Sequence, residues 1–251
     1  MTLMVLLADP PREGLCLPRL AEETPLSAAE AADCYRAMLA DAMRAAETCG
    51  GELLVNYRSD DLLPDEFVTD EAAEDAVRAV AEDALDDPDE ARFEVQVGST
   101  PDARLGNTVS HLLDTEEHAS VLVMDGTAPL VGRKDLDNAS MKLRRYDTVF
   151  GPSTDGRVWC SAFKEPVDFD GALAAPTVET LTDRSLDAGL DVDYLPTYQT
   201  VETGRDLCSV VSLLRARQRA GRIVPPHTTE FVDDLGLTVV SDDGEPRLVR
   251  Q

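Results

Sequence analysis

Two aspartates stand where apolar runs stop. Ser120 to Met124 is a short aliphatic run that ends at Asp125. Thr148 to Phe150 is a second, closed by Gly151-Pro152 and then Asp155-Gly156. Short β-branched runs bounded by turn residues have the pattern of buried strands. Open α/β sheets take their ligands at the C-terminal ends of such strands. Asp125 and Asp155 are therefore candidate catalytic residues, with a turn or helix-capping role as the alternative for each. A third candidate group lies near the start of the chain. The loop from Ala8 to Pro25 carries Pro10, Pro11, Gly14 and Pro18, together with Arg12 and Arg19. Nucleotide-binding α/β folds hold phosphates on backbone amides and arginines in a loop at this place. The loop is neither a Walker sequence nor a GxGxxG, and a strand-to-helix connection with solvated arginines is the alternative.

The elements around these residues follow from periodicity. Thr2 to Leu7 reads as a first buried strand. Ser27-Ala-Ala-Glu30 is a capping box that opens a helix running to about Thr48, which Gly50-Gly51 terminates. Glu52 to Tyr57 and Arg92 to Val97 read as strands, and Asp70 to Leu85 as an acidic amphipathic helix between them. A short helix spans Leu136 to Arg144. Val158 to Phe163 reads as a strand paired antiparallel after the Asp155-Gly156 turn. Pro176 opens a further helix, Asp191 to Leu195 is a strand, and Thr203 is the expected N-cap of a long helix. A short helix, Thr228 to Leu235, and a strand, Leu237 to Val240, complete the pattern. Strands separated by helices predict a mainly parallel sheet with helices on both faces. One domain is expected over residues 1–240, followed by a polar tail over 241–251.

The chain of 251 residues has 49 acidic and 23 basic residues, a net charge of −26. Only three basic residues are lysines: Lys134, Lys142 and Lys164. The acids are spread along every helix, which points to adaptation to molar salt, where screening falls to about 3 Å. No basic stripe is present to neutralise phosphates of a nucleic acid, so none is expected as a partner. No apolar run approaches the ~20 residues of a membrane span. The apolar start lacks a basic segment and meets Asp9 at once, so it reads as a strand in a cytoplasmic protein. Cys16, Cys34, Cys49, Cys160 and Cys208 are odd in number and widely spaced, which argues against a disulfide framework or zinc site. His111 and His118 have no evident metal-ligand partner at suitable spacing.

From Leu3 to Leu237 the chain resembles a little-characterised family of glycosyltransferase-A-like transferases. That family is distantly related to molybdenum-cofactor guanylyltransferase and 2-phospholactate guanylyltransferase. Four stretches carry the resemblance: Leu7 to Leu20, the helix AADCYRAMLAD from Ala31 to Asp41, Val123 to Leu130, and Gly151 to Val158, where a G-P-A-T-D-G-G-Y motif reads GPSTDGRV. A late D-V-D-T-x-x-D-L motif becomes Thr200 to Leu207, with Thr200 and Glu202 in place of two aspartates. The resemblance implies a nucleotide-diphospho-sugar transferase-like fold and a nucleotide or nucleotide-sugar donor with a small-molecule acceptor. It also implies a divalent cation, Mg or Mn, on Asp125 and Glu202. Arg12, Gly14 and Arg19 would meet the phosphates, and Asp155 the second substrate. Three basic positions of the family's first loop are Asp9, Leu15 and Leu17 here. That loss favours a second reading, a binding or regulatory protein on the same scaffold. An exposed apolar surface at Leu15, Cys16 and Leu17 would support it. A nicotinamide dehydrogenase is a poor reading, because the glycine fingerprint after the first strand is absent.

Overall fold

The computed structural model describes residues 2–251, apart from the side chain of Asp242. In chain order the elements are β1 (Leu3–Ala8), α1 (Pro18–Glu23), α2 (Ala28–Thr48), β2 (Leu53–Tyr57), α3 (Ala73–Ala84), β3 (Arg92–Val95) and α4 (Pro101–Ser110). There follow β4 (Val121–Met124), α5 (Arg133–Lys142), β5 (Thr148–Pro152), β6 (Val158–Phe163), α6 (Thr177–Asp187) and β7 (Val192–Tyr194). The chain then adds α7 (Gly204–Arg219), α8 (Pro226–Asp234), β8 (Leu237–Asp242) and β9 (Glu245–Arg250).

Seven strands form one sheet in the order β3-β2-β1-β4-β6-β5-β7. The neighbours pair in parallel except for β6, which runs antiparallel to both β4 and β5. The reason β1 reads as unbroken aliphatic sequence is visible in its packing. Met4, Leu6 and Ala8 enter the core on one face, with α2, α3 and α5. Leu3 and Val5 enter the core on the other, with α4 and α6. A strand covered on both faces has no polar side to show. A third core, from α1, α2, α7, α8 and the β8–β9 hairpin, closes one side of the molecule. No helix among the described residues is long and apolar enough to cross a membrane.

The local signals act as expected at several ends. Glu30 N donates to Ser27 Oγ at 3.2 Å and Ser27 N to Glu30 Oε2 at 2.8 Å, so the capping box opens α2. Thr203 caps α7, its Oγ1 accepting from Asp206 N at 3.1 Å. Two expectations are corrected. The stretch from Ala8 to Pro25 is not loop throughout: Leu17 takes a left-handed φ of 50° and Pro18 then starts α1. The residues from 241 onward, expected as a polar tail after the strand Leu237 to Val240, continue β8 and supply β9. Asp243 and Gly244 both have positive φ, 48° and 88°, as a tight hairpin turn requires. Leu248, 3% exposed, is the anchor that fixes this polar strand to the third core.

Four of the five cysteines are buried, and Cys49 is partly so. His111 and His118 both come within 3.2 Å of Glu116. Arg92 already holds that carboxylate at 2.9 and 3.0 Å and keeps it down to about 2, so the histidines face an occupied carboxylate.

Candidate active site

The C-terminal ends of β1 and β4 open into two small cavities that share Asp125, Leu7 and Leu173. Each holds about 240 Å³. The first is bounded by Ala8 and Asp9 after β1, by Leu15 to Leu17, and by Gln96, Pro101 and Arg104 at the start of α4. The second is bounded by Arg157 to Ser161, by Thr177 and by Glu202. Because β6 is antiparallel, its N-terminal residues lie at the same sheet edge as the C-terminal ends of β1 and β4. Together the two cavities make one cleft with Asp125 at the junction. A larger groove of about 1010 Å³ runs between α2 and α5, away from these strand ends. Its carboxylate Asp41 is spent on the backbone of His227 and Thr228 at the start of α8.

Asp125 is held by its own turn. Oδ1 accepts from Thr127 N at 2.9 Å and from Thr127 Oγ1 at 2.7 Å. Gly126 follows with φ +78°, and a side chain there would also press on Leu39. Asp125 is open to the cleft but enclosed by its walls. That enclosure pushes its carboxyl up, against the Thr127 hydrogen bonds and the charge of Arg157 that pull it down.

Across the second cavity, Arg157 gathers the acids. Its Nη2 and Nη1 donate to Asp206 Oδ1 and Oδ2 at 2.9 and 3.1 Å. Nη1 lies 3.3 Å from Glu202, and Nη2 lies 3.8 Å from Asp155. Nε and Nη2 also donate to Thr154, so every nitrogen of this guanidinium is engaged. Asp206 is 7% exposed and also accepts from the amides of Glu202 and Thr203. Burial would raise it, but Arg157 and these donors hold it below the ordinary range. Glu202 and Asp155 stay accessible, at 53% and 85% exposure. Trp159 forms the apolar wall beside them. A Cβ on Gly151 would sit 2.3 Å from its ring, so only glycine lets the ring lie flat on β5.

Asp125 and Glu202 thus line the second cavity, Asp155 lies outside both cavities 3.8 Å from Arg157, and the first-loop residues lie elsewhere. Arg12, 7% exposed, turns inward: Nη1 donates to Asp60 Oδ1 at 2.6 Å and to Phe67 O at 2.8 Å, and Nη2 to Glu71 O at 2.5 Å. It fastens the loop after β2 and is not placed to meet a phosphate. Gly14 supplies a turn at φ +75° against Phe67. Arg19 pairs with Glu23, which in turn accepts from Gly204 N at 2.8 Å. None of these three lines the cavities. Leu15 and Leu17 are partly buried and pack on the core, and Cys16 is 4% exposed, so the apolar substitutions form cleft wall in place of an outward patch.

Sequence reasoning missed Arg157, Asp206, Arg58 and Arg104. A signal existed for Asp206, the last acid in the stretch Thr200 to Leu207, and for Arg157, which directly follows Asp155-Gly156. Among the described residues no group of three or more His, Cys, Asp or Glu side chains is arranged to hold a metal.

The sequence model of a family described as "Uncharacterized protein conserved in bacteria (DUF2064)" matches residues 54–172. No curated protein matches the sequence. Among solved structures, the chain is similar to one from Desulfovibrio desulfuricans G20 described as a "putative nucleotide-diphospho-sugar transferase". The two share 22% identity and a TM-score of 0.72, over 93% of this chain and 95% of that one. It is also similar to 4-diphosphocytidyl-2C-methyl-D-erythritol synthase from Anaerococcus prevotii DSM 20548, at 13% identity and a TM-score of 0.50, over 85% of this chain and 98% of that one. The fold is therefore the mixed, mainly parallel α/β fold of nucleotide-diphospho-sugar transferases.

Proposed function

We propose that this chain is a transferase that takes a nucleotide-activated donor and moves a nucleotidyl or glycosyl group to a small-molecule acceptor. The observation that carries the reading is the position of Asp125. It stands at the junction of two cavities on the sheet edge where this fold class takes ligands, with the first cavity on the β1 side and the second on the β6 side. The first cavity, with apolar walls and Arg104, suits a nucleotide. The second, with Glu202 and Trp159 in its wall and Asp155 near its Arg157, suits a hydroxyl-bearing acceptor. Such transfers need positioning and charge neutralisation more than a covalent nucleophile.

The fit to a divalent cation is partial. Asp125 and Glu202 line the same cavity, which suits an ion that arrives on substrate phosphates and needs one or two protein carboxylates. Glu202 would leave Arg157 to serve it. When bound, the ion would neutralise phosphate charge. Asp125 orients the donor within the cleft, and the Arg157–Asp206 pair fixes the loop that carries Glu202.

The test is thermal melting in molar KCl with a panel of nucleoside triphosphates and nucleotide sugars. A ligand at about 100 times its Kd adds roughly 2.7 kcal/mol. A clear rise in Tm with one nucleotide class is expected. A folded protein whose Tm moves with none of them would contradict the reading and favour a binding protein on this scaffold.

A further inference from the structure

The cleft has an uneven charge. On the β6 side a single guanidinium, Arg157, is surrounded by Asp206, Glu202 and Asp155, and all its nitrogens are engaged. A phosphate brought there would meet surplus negative charge and no free donor. On the β1 side two guanidiniums, Arg58 and Arg104, stand against Asp9 and the shared Asp125, so the acids there are matched. Arg58, directly after β2, approaches Asp9 with its Nε 2.9 Å from Oδ1, and its Nη2 donates to Oδ2 at 3.0 Å. That Nε is buried and finds no aligned acceptor. Arg104 lies close enough to interact with both Arg58 and Asp9. Among the described residues its guanidinium makes no hydrogen bond or ion pair, its bonds being those of the helix backbone. Asp9 and Arg104 thus line the cavity together, with Arg58 holding the Asp9 carboxylate, in a chain whose net charge is −26.

The local backbone puts Arg104 there. Thr100 Oγ1 accepts from Ala103 N at 3.2 Å and caps α4. Gly98, at φ +137°, lets the first turn of α4 press against the chain, since a Cβ would fall 2.9 Å from the Ala103 backbone. The turn lies over the end of β1, and Arg104 and Pro101 face the cavity beside Asp9. Burial and the neighbouring Arg58 act against the charge on Arg104, and Asp9, already paired with Arg58, offsets them only in part.

We propose that Arg104, supported by Arg58, is the phosphate ligand of this cleft, and that it binds the di- or triphosphate of the donor. The inference rests on the transferase reading and assigns within it the cations that Arg12 and Arg19 do not provide. A planar guanidinium with free donors recognises phosphate oxygens in pairs. The phosphates then run from Arg104 toward Asp125, and the reacting bond falls at the junction of the two cavities.

Calorimetric titration of the chain with inorganic tripolyphosphate, CTP and GTP tests this. Parent protein, Arg104→Gln, Arg104→Lys, Arg19→Gln and the remote Arg184→Gln would be compared, with Tm recorded for each. Arg104→Gln is expected to bind the probe that the parent binds roughly 10- to 100-fold more weakly, at an unchanged Tm. Arg104→Lys should lose less than the glutamine variant, and Arg184→Gln nothing. Equal affinity in parent and Arg104→Gln would overturn this inference and leave the transferase reading standing. Loss in Arg19→Gln with retention in Arg104→Gln would return the phosphates to the first loop and overturn it as well. A parent that binds none of the probes would overturn this inference.

Discussion

Asp125→Asn is expected to lower transfer by roughly 10²- to 10³-fold, the scale of losing one group that acts on charge developing in the transition state. The fold should survive the change. Asparagine keeps a side-chain oxygen for the amide and hydroxyl of Thr127, which now hold Oδ1. Stability at neutral pH should be equal or slightly higher. The carboxyl of Asp125 is raised above its ordinary 3.8 by its enclosure. A carboxyl raised in the folded state carries no penalty well below that ordinary value. The penalty grows as pH rises toward the shifted value and is complete above it. The amide escapes it. A variant that melts no lower than its parent and does not turn over would separate the catalytic role from a structural one. A variant with full activity would remove Asp125 from the site.

The second large effect is structural. Arg12→Ala is expected to destabilise the protein by about 3–5 kcal/mol, because it leaves the partners of a buried charge unpaired. Asp60 would lose its guanidinium, though it would still accept from Ala73 N at 2.8 Å. The carbonyls of Phe67 and Glu71 would lose their donors in the same loop. Urea unfolding followed by circular dichroism reads this directly. A phosphate-binding arginine would behave in the opposite way, with weaker nucleotide binding at unchanged stability. That outcome would show the inward-turned guanidinium to be misassigned.

Much of the frame was legible because it rests on local rules. The unbroken aliphatic β1, the Ser27–Glu30 box and the Thr203 cap each need only a few neighbouring residues to act. Asp125 could be found for the same reason, as the first acid after a buried strand. The antiparallel β6 followed from the turn before it. What stayed hidden depends on distant packing. Arg12 and Arg104 are both arginines near glycine and proline turns. Only the closure of residues 60–71 over Arg12 and the approach of α4 to β1 decide which is buried and which faces the cleft. Likewise β9 carries one buried leucine among exposed residues, too little for a hydrophobic pattern, and its Asp243-Gly244 turn was the better clue.

The most direct measurement is a crystal structure of the chain with the nucleotide that raises its Tm. The account predicts the phosphates within hydrogen-bonding distance of Arg104 and the reacting end beside Asp125, with Glu202 facing the second cavity. A nucleotide seated instead in the groove between α2 and α5, against Arg44, Lys134 and Arg217, would contradict the placement of the active site at the ends of β1 and β4.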